Sequence, residues 1–171
     1  CEERPAMLCF SNFEWNLELS YKFASLAKQR DPKVITVIGG PNFPIEVNEK
    51  KEFLQKRPNI DFVIELEGEL GFVDLIRRLS EYNFDKAKLK KKGETISNTC
   101  YLSEDNLVSG PISRINNINV IPSPYLTGAM DEFFNHPLVP MLETTRGCPF
   151  SCAFCADGVA SKNKIHRYDS Q

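Results

Sequence analysis

The sequence predicts an α/β fold, a parallel sheet covered by helices, and two observations carry that expectation. Through about residue 84, short apolar runs alternate with longer amphipathic segments in the order strand, helix, strand, helix, strand, helix. That alternation is the mark of parallel strands joined by crossover helices. The second observation is the run Val34, Ile35, Thr36, Val37, Ile38, whose β-branched, nearly continuous apolar character suits a strand buried on both faces.

The elements follow in order. Met7, Leu8, Cys9 and Phe10 predict a first strand. Beyond the polar stretch holding Trp15, residues 17–30 predict a helix whose polar positions Glu18, Lys22, Ser25 and Gln29 recur at i, i+4, i+7 and i+11. They form one narrow stripe. Leu17, Leu19, Tyr21, Phe23 and Leu26 fill the rest, so this helix is expected to pack on a sheet and on something else as well. Asp31-Pro32 stops it. The strand over 34–38 ends in Gly39-Gly40-Pro41-Asn42, a turn with two residues free to take unusual dihedrals. A weaker helix is expected over 47–57, and a strand over 61–64 that closes in Glu65-Leu66-Glu67-Gly68-Glu69. Phe72, Leu75, Ile76 and Leu79, at i, i+3, i+4 and i+7, predict the third helix.

The second half is less regular. Lys86, Lys88, Lys90, Lys91 and Lys92 lead to Gly93, and without interleaved aromatic or Arg residues they read as a solvated helix end or linker. Residues 95–102 and 107–112 flank Ser103-Glu104-Asp105-Asn106, which predicts a hairpin. A proline-containing extended stretch then begins at Ile121-Pro122-Ser123-Pro124. We therefore expect an α/β domain over 1–84, a linker with a hairpin over 85–136, and the start of another domain over 137–171. Residues 138–145 predict a further strand running into Arg146-Gly147-Cys148. A strand that opens a domain with so little chain behind it predicts truncation, as does a first residue other than Met.

Composition narrows the function. Hydrophobic residues are 42% and charged residues 26% of the 171, which describes a globular chain and excludes a disordered one. A net charge of −2 gives no general attraction for nucleic acid. No apolar stretch approaches the roughly 18 residues of a membrane span, and residues 1–5 lack the basic start and apolar run of a signal peptide. A cytoplasmic protein is expected.

Of six cysteines, Cys148, Cys152 and Cys155 fall in the segment Cys-Pro-Phe-Ser-Cys-Ala-Phe-Cys. A tight cluster in a reducing compartment points to metal more than to disulfides, and soft thiolates select iron–sulfur clusters, zinc or copper(I). Gly147 and Pro149 favour a loop that curls around one centre. Three nearby ligands would leave one iron of a cluster open to a substrate or cofactor. Three other readings stay open: a buried helix face of packed thiols, a zinc site completed by His166, and an electron carrier completed by Cys100 or by a cysteine elsewhere.

The spacing C-x3-C-x2-C, with Phe154 just before the last cysteine, resembles the signature of the radical S-adenosylmethionine superfamily. In such enzymes the three cysteines hold a [4Fe–4S] cluster whose fourth iron chelates S-adenosylmethionine, and Phe154 would lie near the adenine. Reduction of the cluster cleaves the sulfonium to a 5′-deoxyadenosyl radical, while the protein positions and shields these species. Upstream, Ser11, Gly39-Gly40 and Glu67-Gly68-Glu69 follow predicted strands, where open α/β sheets bind ligands. Their order resembles the flavodoxin-like (Rossmann-like) cobalamin-binding domain of the cobalamin-dependent subgroup, and the hairpin linker resembles that subgroup's connection. The resemblance implies the first strand and cluster loop of a partial (β/α)6 barrel over 137–171. It also implies cobalamin contacts at Ser11, Gly39, Gly40, Glu67, Gly68 and Glu69, a small-molecule substrate, a reductant such as flavodoxin or ferredoxin, and in some members methylation of an unactivated carbon. No Asp-x-His-x-x-Gly motif is present to name a lower cobalt ligand, and His136 and His166 read as ordinary polar residues. The 171 residues alone are expected to be inactive.

Overall fold

A computed structural model describes residues 4–155 and 165–168. They divide into two compact units, one through Arg114 and one from Ile115 onward.

The first unit is built on a five-stranded sheet, β1 (Met7–Ser11), β2 (Ile35–Gly39), β3 (Phe62–Ile64), β4 (Thr99–Ser103) and β5 (Asn106–Ser109), in spatial order 1-2-3-4-5. The first three strands are parallel, with Cys9 opposite Val37 and Val37 opposite Phe62. The α/β class is as the sequence implies, but the sheet is mixed. The hairpin β4–β5 pairs antiparallel to β3, Val63 facing Cys100. It extends the sheet where a linker was expected, so the first unit runs some thirty residues past the 1–84 boundary. The physical reason is the row of backbone donors and acceptors that β3 would otherwise leave open, which the hairpin satisfies.

Strand alternation sends side chains to two cores. Ile35, Val37, Phe62 and Ile64 point to one face, where Leu75 and Leu79 of α3 (Gly68–Glu81) and Leu89 of α4 (Lys86–Lys92) join Tyr101. Ile38, Val63 and Cys100 point to the other, under Ala24 of α1 (Leu17–Arg30) and Leu54 of α2 (Val47–Gln55). Helix α1 buries Leu17, Ser20 and Ala24, and leaves Leu19, Phe23 and Leu26 exposed. The expected second contact for its apolar side is absent among the described residues.

The lysine-rich run is a capped helix. Asp85 accepts from the backbone N–H groups of Ala87 and Lys88, both at 3.1 Å, and Gly93 ends it at φ +65°, the left-handed stop that glycine takes without strain. Its lysines are not all solvated. Lys86 and Lys90 turn inward to Asp61, which Lys28 of α1 also meets.

In the second unit, β6 (Thr145–Arg146) pairs antiparallel with β7 (His166–Arg167), Arg146 opposite His166. Residues 138–144 are not a strand. Leu138, Val139, Met141 and Leu142 are exposed. An extended apolar run becomes a strand only with a ladder partner, and of residues 138–146 only Thr145 and Arg146 have one among the described residues.

Candidate functional site

The carboxyl ends of β1, β2 and β3 surround a depression of about 220 Å³. Its walls are Cys9 and Phe10 from β1, Ile38, Gly39 and Gly40 from β2 and its turn, and Ile64, Leu66, Gly68 and Phe72 from β3 and α3. Drug-sized ligands usually occupy roughly 300–1,000 Å³, so this depression suits one edge or arm of a larger ligand.

Backbone geometry builds it. After β1 the chain turns so that Asn12 is fully buried, its N–H donating to the Gly39 carbonyl at 2.7 Å and its side-chain amide to the Asn42 carbonyl. Gly40 sits at φ +141°, and a Cβ there would come within 2.4 Å of the Asn12 carbonyl oxygen. The glycine therefore permits the close approach of two turns. Gly39 would accept a Cβ at ordinary contact distance from Ile64. Gly68 differs from both: a Cβ would meet nothing within 4 Å. Helix propensity ranks glycine below alanine, and among the described residues no neighbour requires glycine at this position. It lies on the wall of the depression, where only something entering from outside would meet a side chain.

The loop between β3 and α3 is held under strain. Leu66 has φ +57° and is 41% exposed. For a branched, bulky residue the left-handed region costs roughly 1–2 kcal/mol. Both neighbours are fixed. The Glu65 N–H donates to the Asn98 carbonyl at 2.8 Å, the Asn98 side-chain amide donates to the Glu65 carbonyl at 3.0 Å, and the Glu65 carboxylate pairs with Lys50. On the other side the Glu67 carboxylate, only 3% exposed, accepts from Arg114 Nε at 2.7 Å, and the Glu67 carbonyl accepts from the Gly71 N–H at 3.1 Å. Gly71 lets α3 lie close on the sheet, since a Cβ there would stand 2.9 Å from both Asn98 Cβ and Ile64 Cγ2.

The expected ligand residues therefore divide. Gly39, Gly40 and Gly68 line the depression together. Ser11 ends β1 beside it, but its hydroxyl accepts from the Asn16 side chain at 2.8 Å. Glu67 turns to Arg114, and Glu69 is exposed on α3 outside the lining. Trp15 is 81% exposed and stacks on Phe13 at 4.6 Å between ring centroids. Sequence reasoning missed Phe10, Leu66 and Phe72 as lining residues, and Asn12, Asn98, Gly71 and Arg114 as their supports. The one available signal was Gly71, a helix-breaking residue inside the apolar periodicity of α3, which marks close packing.

In the second unit Cys148 is partly buried, while Cys152 and Cys155 are exposed free thiols, with the Cys155 N–H donating to the Cys152 carbonyl at 3.2 Å. The cysteines lie on a loop, which removes the reading of a buried helix face. Phe154 between them is 93% exposed. Among the described residues no three His, Cys, Asp or Glu side chains are gathered as a metal site. His166 Nδ1 lies 2.9 Å from the Asn116 carbonyl. Cys100 is fully buried in β4, and burial first, then the Glu65 carboxylate, pushes its thiol up to about 12. The loop brings three soft sulfur donors within eight residues of sequence, the donor type that iron–sulfur clusters, zinc and copper(I) take.

Fold and site together define a class: an α/β domain with an apolar depression at its parallel strand ends, followed in sequence by a loop of three closely spaced thiols. No protein-family model matches the chain. It is 31% identical over 98% of its length to the cobalamin-dependent radical SAM methyltransferase TokK of Streptomyces tokunonensis, covering 24% of that protein. It is 30% identical, again over 98%, to the 2-(S-pantetheinyl)-carbapenam-3-carboxylate methyltransferase of Streptantibioticus cattleyicolor, covering 24%. Among solved structures, the cobalamin-dependent S-adenosylmethionine radical enzyme OxsB superposes with a TM-score of 0.64 at 19% identity, covering 96% of this chain and 22% of OxsB; that likeness shows the fold. The chain is a relative of cobalamin-dependent radical S-adenosylmethionine methyltransferases over nearly its whole length, and spans about a quarter of theirs. No helix among the described residues is long and apolar enough to cross a membrane.

Proposed function

We propose that the whole protein is a cobalamin-dependent radical S-adenosylmethionine enzyme that methylates an unactivated carbon of a small-molecule substrate. The observation that carries the reading is the C-x3-C-x2-C loop in a chain 31% identical over 98% of its length to TokK. The depression at the strand ends supports it from the other unit, because Gly68 leaves open a wall that the fold itself would allow a side chain to fill.

In this reading Cys148, Cys152 and Cys155 hold a [4Fe–4S] cluster, and Phe154 offers its exposed ring to the adenine of S-adenosylmethionine. Gly39, Gly40 and Gly68 give cobalamin a side-chain-free wall, with Phe10, Leu66 and Phe72 as its apolar rim. When bound, these groups supply reductive cleavage of S-adenosylmethionine and methyl transfer. The chain's own part is to bind and orient. Soft thiolates hold iron, exposed apolar side chains cover the cofactors' flat faces, and glycines allow backbone approach. The partners are the substrate and a low-potential reductant such as flavodoxin or ferredoxin. The 171 residues alone, without the remaining sequence of the relatives' length, are inactive in this reading.

The test is electron paramagnetic resonance of the anaerobically reconstituted, reduced protein with and without S-adenosylmethionine, beside its cobalamin absorbance. A four-iron signal that shifts on adding S-adenosylmethionine, with cobalamin retained through gel filtration, is the expected result. Zinc in place of iron, or a cluster indifferent to S-adenosylmethionine, would overturn the reading.

A further inference from the structure

We propose that Leu66 is the contact residue that selects a corrinoid at the strand-end depression, held in a strained backbone conformation so that its side chain faces the ligand. This rests on the cobalamin reading above.

Three observations carry it. Leu66 is a bulky residue at φ +57°, a conformation that persists only where its surroundings over-determine it and that collects at ligand clamps. The surroundings do over-determine it: Asn98 and Lys50 fix Glu65, while Arg114 and the first turn of α3 fix Glu67. The side chain so placed is not used by the fold. Leu66 remains 41% exposed, outside both buried apolar clusters, and lines the depression with Gly68 and Phe72. A leucine whose only role was to turn the chain would be better as glycine or asparagine, which take positive φ with little strain.

The ligand chemistry follows from the rim. Phe10, Leu66 and Phe72 are apolar, and the polar groups around them are internally paired. Asn12 bonds to the Asn42 carbonyl, Ser11 to Asn16, and Glu67 to Arg114. Such a rim favours a ligand that brings a broad, methyl-bearing face, as a corrin ring does, and gives little to a small phosphate or sugar. Burying the leucine side chain against that face is what returns the strain.

The experiment compares wild type with Leu66→Gly, Leu66→Asn and Leu66→Met in the full chain. It measures hydroxocobalamin binding by absorbance titration and thermal unfolding without cobalamin. Leu66→Gly and Leu66→Asn should unfold at or above the wild-type temperature yet bind hydroxocobalamin at least tenfold more weakly, and Leu66→Met should bind within about threefold of wild type. Binding by the Gly and Asn variants within threefold of wild type would overturn the proposal while leaving the cobalamin reading intact. A parallel fall in unfolding temperature and affinity would overturn it in favour of a purely structural leucine. Failure of the wild type to bind hydroxocobalamin at all would sink the cobalamin reading, and this proposal with it.

Discussion

The side-chain amide of Asn98 donates to the backbone carbonyl of Glu65 at 3.0 Å, across 33 residues of sequence. The same amide donates to the Ser113 carbonyl at 2.9 Å and accepts from the Ser113 N–H at 2.8 Å. One buried side chain thus ties the loop after β3 to the segment that leaves the hairpin. Asn98 itself sits at φ +50°, which asparagine tolerates better than most residues.

Asn98→Ala removes these bonds and places alanine in the left-handed region. Buried donors and acceptors stripped of partners cost about 1–3 kcal/mol, so the variant should lose about 3 kcal/mol in all. A urea unfolding curve of unchanged slope with a lowered midpoint would confirm it. A loss below about 1 kcal/mol would mean that the loop does not depend on the clamp.

Two glycines of α3 make opposite predictions for the same substitution. Helix propensity favours alanine at both. Gly71→Ala forces a methyl against Asn98 and Ile64 and should cost about 2 kcal/mol through overpacking. Gly68→Ala enters open space and should leave stability unchanged or raise it by up to about 1 kcal/mol. Equal effects from both would contradict the packing described for α3.

Asp61 anchors three lysines from two helices. Burial raises its pKa, but Lys90 and then Lys28 pull the other way, and the net position is below the ordinary carboxylate range. Its contribution is therefore present above about pH 4 and lost as pH falls through its lowered folded-state pKa. Lys28 runs oppositely to an exposed lysine. Burial lowers it to about 8 against a partial rise from Asp61. Between about pH 8 and 10.5 the unfolded chain therefore binds the extra proton, and stability should rise with pH across that window. Urea midpoints measured from pH 7 to 9, below the range where the raised Cys100 thiol acts in the opposite direction, should climb in wild type and climb less in Lys28→Met. Asp61→Asn, which leaves three half-buried ammonium groups facing no carboxylate at this position, should cost about 3 kcal/mol at pH 7.

The thiol loop makes a separable prediction. Cys148→Ala, Cys152→Ala and Cys155→Ala should each abolish the four-iron signal after reconstitution and leave the unfolding of the first unit where it was. Those cysteines are partly or fully exposed and belong to neither buried cluster. A variant that keeps a full cluster would remove that cysteine from the ligand set.

Local pattern determined a large part of this protein. The strand at residues 35–39, the three long helices and the hairpin were legible because burial leaves its period in the chain, two residues for a strand and 3.6 for a helix. The cysteine spacing and the Gly-Gly turn were legible because that chemistry needs residues adjacent in sequence. Tertiary structure alone decided which end of which strand meets which helix, and with it everything that depends on distant partners. The hairpin joined the sheet because β3 had an open ladder, and Lys86 and Lys90 turned inward because Asp61 lies under α4. Glu67 turned to Arg114 instead of lining the strand-end depression, and Leu66 took its strained conformation because Asn98 and Arg114 hold its neighbours. Periodicity reports whether a residue is buried, and carries no information about which residue it is buried against.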